Sequence, residues 1–445
     1  MITRRTLLAS SAALVGGCAA GIGGSGGAGD FVRVDGTRFT LEGRTYRFAG
    51  ANMWYAAWLG ADAPFGDRAR LRRELDALAS MGVTNLRILG GAERSSLKGA
   101  VSPAFRGPGS DYDPVLLEGL DFALAEIGRR GMKAVIYLTN FWEWSGGMMT
   151  YLSWTNGGRY VDMNDPAHPW PEFPDFNAAF YRSDPAIGLY HDYVRALVGR
   201  TNKVTRRAYA DDPAIMAWQL ANEPRPGGSE RVGVPNLPNF YAWIGRTAAL
   251  IKSLDRNHLV STGSEGLKGC LESEACVLSA HEAPGIDYVT AHIWPLNWSW
   301  VDSADLAGTW EAGAAKVSDY IRRHIAMART LRKPLVIEEF GFPRDGGSYD
   351  PAASTIFKDR FYRLIYDAVY QDARAGGPAA GTNFWAWNGE GRAAHADHRF
   401  RPGDTAFLGD PPHEPQGWYG VFDRDADTRQ VIRNHAQAMV ALPDA

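Results

Sequence analysis

The sequence predicts a (β/α)8 barrel, the α/β fold in which eight parallel strands alternate with helices around a closed centre. Short apolar runs alternate with helical patterns eight times after residue 46. No stretch rich in Pro, Gly or Ser interrupts this series after residue 29. The chain has 445 residues, a length that a single barrel with long loops can reach. We therefore expect residues 31–445 to form one barrel domain with long loops at the carboxyl ends of its strands.

The strands are predicted where β-branched, aromatic and other apolar residues form runs of four to eight. In chain order the predicted strands cover residues 46–52, 83–89, 133–140, 215–222, 258–264, 287–293, 334–340 and 382–387.

The clearest helix lies between the first two strands. Asp67 is a suitable N-cap, and Leu71, Leu75 and Leu78 fall on one face at i, i+4 and i+7. Further helices are predicted at residues 114–130, 184–207, 239–254, 312–331 and 354–374, and an amphipathic stretch at 428–442 closes the chain.

The charge and composition of the chain limit the partners that are expected. The chain carries 47 Lys and Arg against 50 Asp and Glu, a formal net charge of −3, and its basic residues form no long run. A nucleic-acid ligand is therefore not expected. With 45% hydrophobic and 22% charged residues the protein is an ordinary globular one. We expect a monomer. We also expect no metal and no other cofactor, because the one candidate cluster, His395, Asp397, His398 and His413, matches no familiar metal-ligand spacing.

The amino terminus predicts export. Residues 1–18 contain paired Arg4 and Arg5, an apolar run too short to span a bilayer, and small residues before Cys18. This pattern resembles a twin-arginine signal followed by a lipobox, so a lipid anchor at Cys18 is expected; the alternative is cleavage without a lipid. Residues 19–30 are a Gly-rich tether. The expected location is the periplasm or the outer membrane, otherwise the medium. Cys270 and Cys276 are either disulfide-bonded or free.

Tryptophans cluster where predicted strands end. Trp54 follows the first strand, Trp142 the third and Trp294 the sixth, and Trp385 ends the eighth. Flat amphipathic rings suit the C–H faces of a sugar, so this clustering favours a carbohydrate site at the carboxyl ends of the strands, where barrel enzymes carry their chemistry. The alternative is that these rings fill small cores of their own beneath long loops.

Two acidic side chains end apolar strands on opposite sides of the predicted barrel. Glu223 follows the fourth strand and is followed by Pro224, and Glu338 and Glu339 end the seventh. A facing pair of carboxyl groups is what glycoside cleavage requires. Glu338 and Glu339 point to opposite sides of their strand, and periodicity alone does not choose between them.

These residues carry a resemblance to a known family. The matching pieces are Phe48-Ala49-Gly50-Ala51-Asn52, Asn85-Leu86-Arg87, Asn140-Phe141-Trp142, Asn222-Glu223-Pro224, His292, Glu339-Phe340-Gly341 and Phe384-Trp385. Together they resemble the β-mannanase and β-mannosidase branch of glycoside hydrolase family 5, over nearly all of the chain after residue 31.

The resemblance implies a retaining mechanism with Glu223 as acid/base and Glu339 as nucleophile, their carboxyl groups about 5 to 5.5 Å apart. We expect Arg87 to keep Glu339 ionised and Glu223 to hold the proton. Many relatives carry Tyr where this chain has Trp294, whose indole would have to replace a phenol. The predicted substrate-binding residues are Arg87, Asn140, Trp142, Asn222, His292, Trp294, Trp385, Trp54, Glu390 and His413.

Activity on β-1,4-mannosidic bonds of mannan or manno-oligosaccharides is therefore expected. Two long loops, the segment after the eighth strand and the roughly 70 residues between the third and fourth, could wall off part of a cleft. A blocked cleft would release single mannose units and an open one would cut internally, and both remain open. The alternatives are a β-1,4-glucanase of the same family and a non-catalytic surface lipoprotein that binds sugar.

Overall fold

The computed structural model describes residues 31–444, and eight parallel strands form the barrel that the sequence predicts. The predicted export signal, Cys18 and the whole of the predicted tether lie outside this range. The chain first forms a small antiparallel sheet of β1 (Arg33–Asp35), β2 (Arg38–Leu41) and β3 (Arg44–Tyr46). The barrel strands are β4 (Phe48–Asn52), β5 (Val83–Leu89), β6 (Lys133–Tyr137), β7 (Ile215–Gln219), β8 (Leu259–Ser261), β9 (Val289–Ile293), β10 (Leu335–Phe340) and β11 (Ala379–Phe384).

The strands pair in the order β8-β7-β6-β5-β4-β11-β10-β9, which brings the first and last barrel strands side by side. The seam between β8 and β9 is closed by individual hydrogen bonds. The backbone N–H of Asp287 donates to the Val260 carbonyl at 2.8 Å, and that of His292 to the Glu265 carbonyl at 3.1 Å. The carboxyl ends of β7 and β10 therefore face each other across the mouth of the barrel.

Helices cover the outside of the barrel because one face of each is apolar. In the described part of the chain they are α1 (Ala56–Gly60), α2 (Arg68–Ser80), α3 (Pro114–Arg129), α4 (Gly147–Thr155), α5 (Glu172–Asn177), α6 (Asp184–Val198), α7 (Glu230–Leu254), α8 (Glu274–Glu282), α9 (Leu306–Leu331), α10 (Ile356–Arg374) and α11 (Ala426–Val440). None of the helices in residues 31–444 combines the length and apolarity that a bilayer crossing demands.

The predicted start of α2 is confirmed. The Asp67 side chain accepts a hydrogen bond from the Arg70 backbone at 2.8 Å, and Leu71, Leu75 and Leu78 are fully buried. Other boundaries differ from the prediction. The helix predicted at 184–207 ends at Val198, and the last barrel strand lies three residues before its predicted position. Short elements without strong periodicity, such as α8 and the sheet of β1 to β3, were not predicted.

The small antiparallel sheet covers the amino-terminal end of the barrel. Phe39 on β2 is fully buried and packs against Phe48 and Tyr288, with ring centroids 6.4 and 5.4 Å away. These rings belong to one apolar cluster with the first residues of several barrel strands. This end of the molecule is therefore closed by packing.

Long loops cover the opposite end, where the strands finish. The connection after β11 contains the short pair β12 (Trp387–Gly389) and β13 (Val421–Phe422). A single 3-10 turn, Glu143–Ser145, follows β6. Cys270, in the loop after β8, forms a disulfide with Cys276 in the first turn of α8, which settles the choice that the sequence left open.

Candidate active site

A cleft of about 590 Å³ opens at the carboxyl end of the barrel. Its walls come from the loops after five strands and from Glu339 on β10, and both predicted catalytic carboxylates face it. The side chains that line it are Trp142, Trp144, Met163, Trp170, Asn222, Glu223, Arg225, Glu265, Lys268, Leu271, Glu272, Trp294, Asn297, Trp298, Glu339, Trp385, Pro411, His413 and Glu414.

The backbone at Glu223 turns the carboxylate toward the cleft. Glu223 has φ 51°, in the left-handed region that non-glycine residues rarely occupy, and it directly precedes Pro224. Its N–H donates to the Gly263 carbonyl at 2.8 Å, which fixes the turn to the loop after β8. Strain of this kind costs about 1–3 kcal/mol and persists where the surroundings determine the conformation.

Glu339 faces the cleft from the opposite side, and the adjacent Glu338 points inside the barrel. Arg87 on β5 donates to Glu339, and its other nitrogens donate to Asn222 Oδ1 and Gln219 Oε1, each at 2.7 Å. Glu338 Oε2 accepts from Gln219 Nε2 at 2.6 Å. Only Glu339 lines the cleft, but both side chains contact Arg87 and His292, because the register of β10 shifts between Ile337 and Glu339. The expectation that the two side chains point to opposite sides of the strand is therefore wrong.

His292 lies between the carboxylates. Its Nδ1 is 2.6 Å from Glu223 Oε1 and 3.2 Å from Glu339 Oε2, and its Nε2 is 3.3 Å from Glu338 Oε1. One oxygen of Glu223 and one of Glu339 lie within 4.8 Å of each other. Inverting glycosidases separate their carboxyl groups by about 6.5–9.5 Å, so the observed spacing is that of a retaining enzyme.

His292 and Glu223 share a short contact and shift each other's pKa in opposite directions. Burial alone would lower the pKa of His292, but the charge of Glu339 and the hydrogen bonds to Glu223 and Glu338 hold it well above its usual value. Burial raises the pKa of Glu223, yet the hydrogen bond and charge of His292 outweigh it and bring the pKa to about 2. The hydrogen bond from His292 thus works against the expected proton on Glu223 in the free protein.

The nucleophile position balances opposing effects. Burial raises the pKa of Glu339, and the cations of His292 and Arg87 oppose that increase. Trp142 also donates its indole N–H to Glu223. Both carboxylates are therefore held by donors whose positions the barrel fixes.

The same three side chains could in principle hold a metal ion, because one atom each of Glu223, His292 and Glu339 lies within 4.8 Å of the others. Arg87 already contacts Glu339, and the pKa of His292 is held well above its usual value. A guanidinium and a bound proton thus supply the positive charge that a metal would bring.

The predicted substrate-binding residues fall into three groups. Trp142, Asn222, Trp294, Trp385 and His413 line the cleft. Arg87, Asn140 and His292 are fully buried behind it and act on the lining side chains. Asn140 Oδ1, for example, accepts from Asn222 Nδ2 at 3.2 Å.

Trp54 and Glu390 need correction, because neither reaches the cleft. Trp54 is 1% exposed, donates its indole N–H to the Gly409 carbonyl at 2.9 Å, and packs against Trp58. Trp54 therefore fills the small core beneath the loops. This is the alternative to sugar binding that the sequence left open for the tryptophans at strand ends. Glu390 pairs with Arg73 on the outer surface.

Trp294 contributes packing in place of the hydrogen bond that was expected of it. Its ring lies edge-on to Trp385, with centroids 5.9 Å apart, and against Tyr419 at 5.1 Å. Within residues 31–444, no hydrogen bond joins the Trp294 indole to Glu339. The suggested replacement of a phenol donor is not made.

An ion pair of Arg225 and Glu265 was missed by the sequence analysis. Arg225 donates to both oxygens of Glu265, at 2.6 and 2.8 Å, and its guanidinium lies 4.8 Å from the Trp142 ring centroid. Burial raises the pKa of Glu265 to about 7, with Arg225 opposing the rise. Arg225 directly follows Asn222-Glu223-Pro224, and this position was the one available signal.

The comparisons with known proteins agree with this geometry. Residues 29–444 match the family model described as GH family 5 beta-mannosidase-like. A putative mannan endo-1,4-beta-mannosidase 9 of Oryza sativa subsp. japonica is 32% identical over 427 residues, covering 94% of this chain and 91% of the relative. The crystal structure of a glycoside hydrolase family 5 mannosidase from Rhizomucor miehei superposes with a TM-score of 0.84 at 33% identity, over 94% of this chain and 99% of that one. An endo-1,4-beta-mannanase from the same organism, at 22% identity and a TM-score of 0.65, shares the fold.

Proposed function

The chain belongs to the beta-mannosidase-like group of glycoside hydrolase family 5, and from its closed glycone side we propose that it removes single mannose units from the non-reducing ends of β-1,4-manno-oligosaccharides. It is a retaining glycoside hydrolase that acts on β-1,4-mannosidic bonds. One relative is named a mannan endo-1,4-beta-mannosidase and another a mannosidase, so the proposed mode of action rests on the shape of the cleft.

The reaction runs in two displacements. Glu339 attacks the anomeric carbon while Glu223 protonates the departing glycosidic oxygen, which leaves mannose bound to Glu339 as an ester. Glu223 then takes a proton from a water that attacks the same carbon and restores the β configuration. Arg87 stabilises the Glu339 carboxylate at the start and end of this cycle.

The direction of the substrate follows from Glu223. Trp142 donates its indole N–H to Glu223 and stacks on Trp170, which is 60% exposed at the outer end of the cleft. Because the acid must meet the leaving group, this is the aglycone side. The terminal sugar then lies on the other side of Glu223, over Trp385.

A wall closes the glycone side, and this observation carries the proposal. The wall consists of Trp144, Asn297, Pro411, His413, Glu414 and Tyr419. His413 Nδ1 contacts Glu143 Oε1 at 3.1 Å, and the Trp144 ring lies 6.3 Å from that of His413. On the other bank Tyr419 donates to Asn297 Oδ1 at 2.5 Å. A chain of sugars could not continue past a wall joined in this way.

The loop that forms the wall is held rigidly. Gln416 Nε2 donates to the carbonyls of Asp410 and Pro411, and the Asp410 carboxylate accepts from the backbones of Gly417 and Tyr419. Each of these bonds joins residues within the same loop. The conformation of the loop is therefore set before any sugar binds.

One carboxylate oxygen of the wall is available to the terminal sugar. Oε2 of Glu414, which lines the cleft, is buried and has no hydrogen-bond partner among residues 31–444. A buried acceptor without a donor costs about 1–3 kcal/mol, and sugar hydroxyls supply donors. This oxygen favours a terminal residue, whose hydroxyls are free, over an internal one.

The test is the product profile on mannohexaose labelled at its reducing end. Terminal cleavage releases unlabelled mannose and labelled mannopentaose as the first products, and a 4-O-methyl group on the non-reducing sugar blocks it. Early labelled dimers or trimers would show internal cleavage. Cellohexaose serves as the control, since its cleavage in place of mannohexaose would move the assignment to a glucanase.

We further propose that the protein is exported and anchored by a lipid at Cys18, acting as a monomer. The twin-arginine and lipobox patterns and the disulfide between Cys270 and Cys276 support an oxidising location. Replacing Arg4 and Arg5 with Lys should retain the protein in the cytoplasm, and Cys18→Ala should release it from the membrane fraction. An unchanged membrane fraction for the Cys18 variant would contradict the anchor, and gel filtration of that variant tests the monomer.

A further inference from the structure

Glu338 has no part in the double displacement, yet it is 1% exposed and bonded on both oxygens. Its Oε1 lies 3.3 Å from His292 Nε2, and its Oε2 accepts from Gln219 Nε2 at 2.6 Å. A buried carboxylate is expensive unless a charge partner compensates it. Two cations compensate Glu338, and His292 is the nearer one, since Arg87 Nε lies 3.8 Å from the same oxygen.

The orientation of Gln219 fixes what Glu338 can do. Gln219 Oε1 accepts from Arg87 Nε at 2.7 Å, and an arginine offers only donors. The Gln219 amide must then present its N–H groups to Glu338. With one oxygen occupied in this way, the other oxygen of Glu338 accepts from His292 and places a proton on Nε2.

The other groups that face His292 come from four elements. Glu223 follows β7, Glu339 lies on β10 beside Glu338, and Arg87 on β5 contacts Glu339. From the loop after β8, the Glu265 carbonyl accepts the backbone N–H of His292, and the Glu265 side chain is paired with Arg225. Since Nε2 is bound by Glu338, only Nδ1 can exchange a proton with Glu223, 2.6 Å away.

We propose that Glu338 is a positioning residue that holds the Nε2 proton of His292 and so makes Nδ1 the resting seat of the proton that Glu223 delivers to the leaving group. In glycosylation this proton passes from Nδ1 to the Glu223 carboxyl and then to the glycosidic oxygen, as Glu339 forms its bond to the anomeric carbon. In hydrolysis of the ester the attacking water gives a proton to Glu223, and Glu223 passes that proton back to Nδ1 of His292. No other reactant is needed, and the scheme is the same for terminal and internal cleavage.

The decisive variant is Glu338→Gln, tested on two substrates. For mannobiose, whose leaving group needs a proton, kcat/KM should fall about 10²-fold, the usual range for general acid catalysis. For 2,4-dinitrophenyl β-mannoside, whose leaving group needs none, kcat/KM should stay within about threefold of the wild type. A disturbance of the neighbouring nucleophile would lower both values equally, and that result would overturn the proposal.

The pH profile gives a second readout. Removing a negative partner of the imidazolium weakens its hold on the proton, so the alkaline limb of kcat/KM for mannobiose should move down by about one pH unit or more. Glu93→Gln is the matched control, because Glu93 is also a buried carboxylate but contacts Thr139 and the Gly147 backbone instead of His292. An unchanged limb in a folded Glu338→Gln protein would overturn the proposal.

The wild-type protein supplies a test that does not depend on the folding of that variant. In protein labelled with ¹⁵N-histidine, the signal absent from His292→Asn identifies His292. The proposal expects both nitrogens to be protonated in the free enzyme at pH 7. A neutral ring, which carries a proton on only one of the two nitrogens, would contradict it.

Discussion

Three buried carboxylates, Glu223, Glu338 and Glu339, share two cations in the centre of the site. Arg87 and His292 are both fully buried, and each contacts more than one acid. Removing one member of such a group leaves an uncompensated buried charge, which costs more than the pair contributes when intact. Substitutions here therefore need separate readouts for folding and for chemistry.

The nucleophile is tested by Glu339→Ala. We expect turnover of mannotriose to fall below about 10⁻⁴ of the wild type, because no ester can form. Thermal unfolding monitored by circular dichroism checks that the barrel remains. Azide should enter the vacated space and yield the α-mannosyl azide from an activated aryl mannoside. Retention of near-normal turnover would remove Glu339 from this role.

The acid/base is tested by Glu223→Ala with the same aryl mannoside. Formation of the ester should remain fast, since the leaving group needs no proton, and its hydrolysis should become slow by about 10²- to 10⁴-fold. Azide should then accelerate turnover and yield the β-mannosyl azide. Equal losses on mannotriose and on the aryl mannoside would contradict the assignment.

The pH dependence of stability reports on His413 in the wall. Burial alone would lower its pKa, but the charges and hydrogen bonds of Glu143 and Glu414 raise it to about 10. Because an unfolded histidine titrates near about 6.5, its contribution is complete below that pH and is lost as the pH rises toward about 10. His413→Gln should therefore lower the free energy of unfolding by about 1–3 kcal/mol at pH 6 and by much less at pH 10.5. Urea unfolding of both proteins checks this, and a pH-independent difference would contradict it.

At the scale of elements, the sequence predicted what periodicity and strand-end position encode. All eight barrel strands and the N-cap at Asp67 could be predicted because buried strands and amphipathic helices have distinct repeats. The facing of Glu223 and Glu339 followed from their strands. The roles of Trp54 and Glu390 were wrong, since the fold of the loops decides which side chains reach the cleft, and no local pattern encodes it. The Arg225–Glu265 pair depends on two loops meeting, which is equally invisible in sequence.

The loop that carries Trp170 forms one bank of the cleft, on the side that we propose for the aglycone. Trp170 is 60% exposed and stacks on Trp142 with centroids 6.4 Å apart at 26°, so its free face can hold a second aglycone sugar. Trp170→Ala should leave kcat/KM for mannobiose nearly unchanged and lower that for mannotetraose about tenfold, as expected for about 1.4 kcal/mol of stacking. An equal loss on both substrates would show that Trp170 acts by supporting Trp142.

For the whole molecule, the two ends of the barrel serve different purposes. The carboxyl end concentrates buried charges, a strained turn at Glu223 and the covering loops. The amino end is sealed by apolar contacts between the sheet of β1 to β3 and the strands. Because polar sites lower stability and packed ones raise it, the cost of the active site is offset elsewhere in the same fold.

This separation predicts that the amino end can be weakened without loss of catalysis. Phe39→Ala removes a fully buried ring from the sealing cluster, and we expect the free energy of unfolding to fall by about 3–5 kcal/mol. At 20 °C, well below unfolding, kcat/KM for mannobiose should stay within about twofold of the wild type, because no contact of Phe39 reaches the catalytic residues. Phe39→Leu is the matched control, since it retains most of the apolar volume and should cost less. A large loss of activity in a folded Phe39→Ala protein would show that the small sheet sets the geometry of the strands as well as their stability.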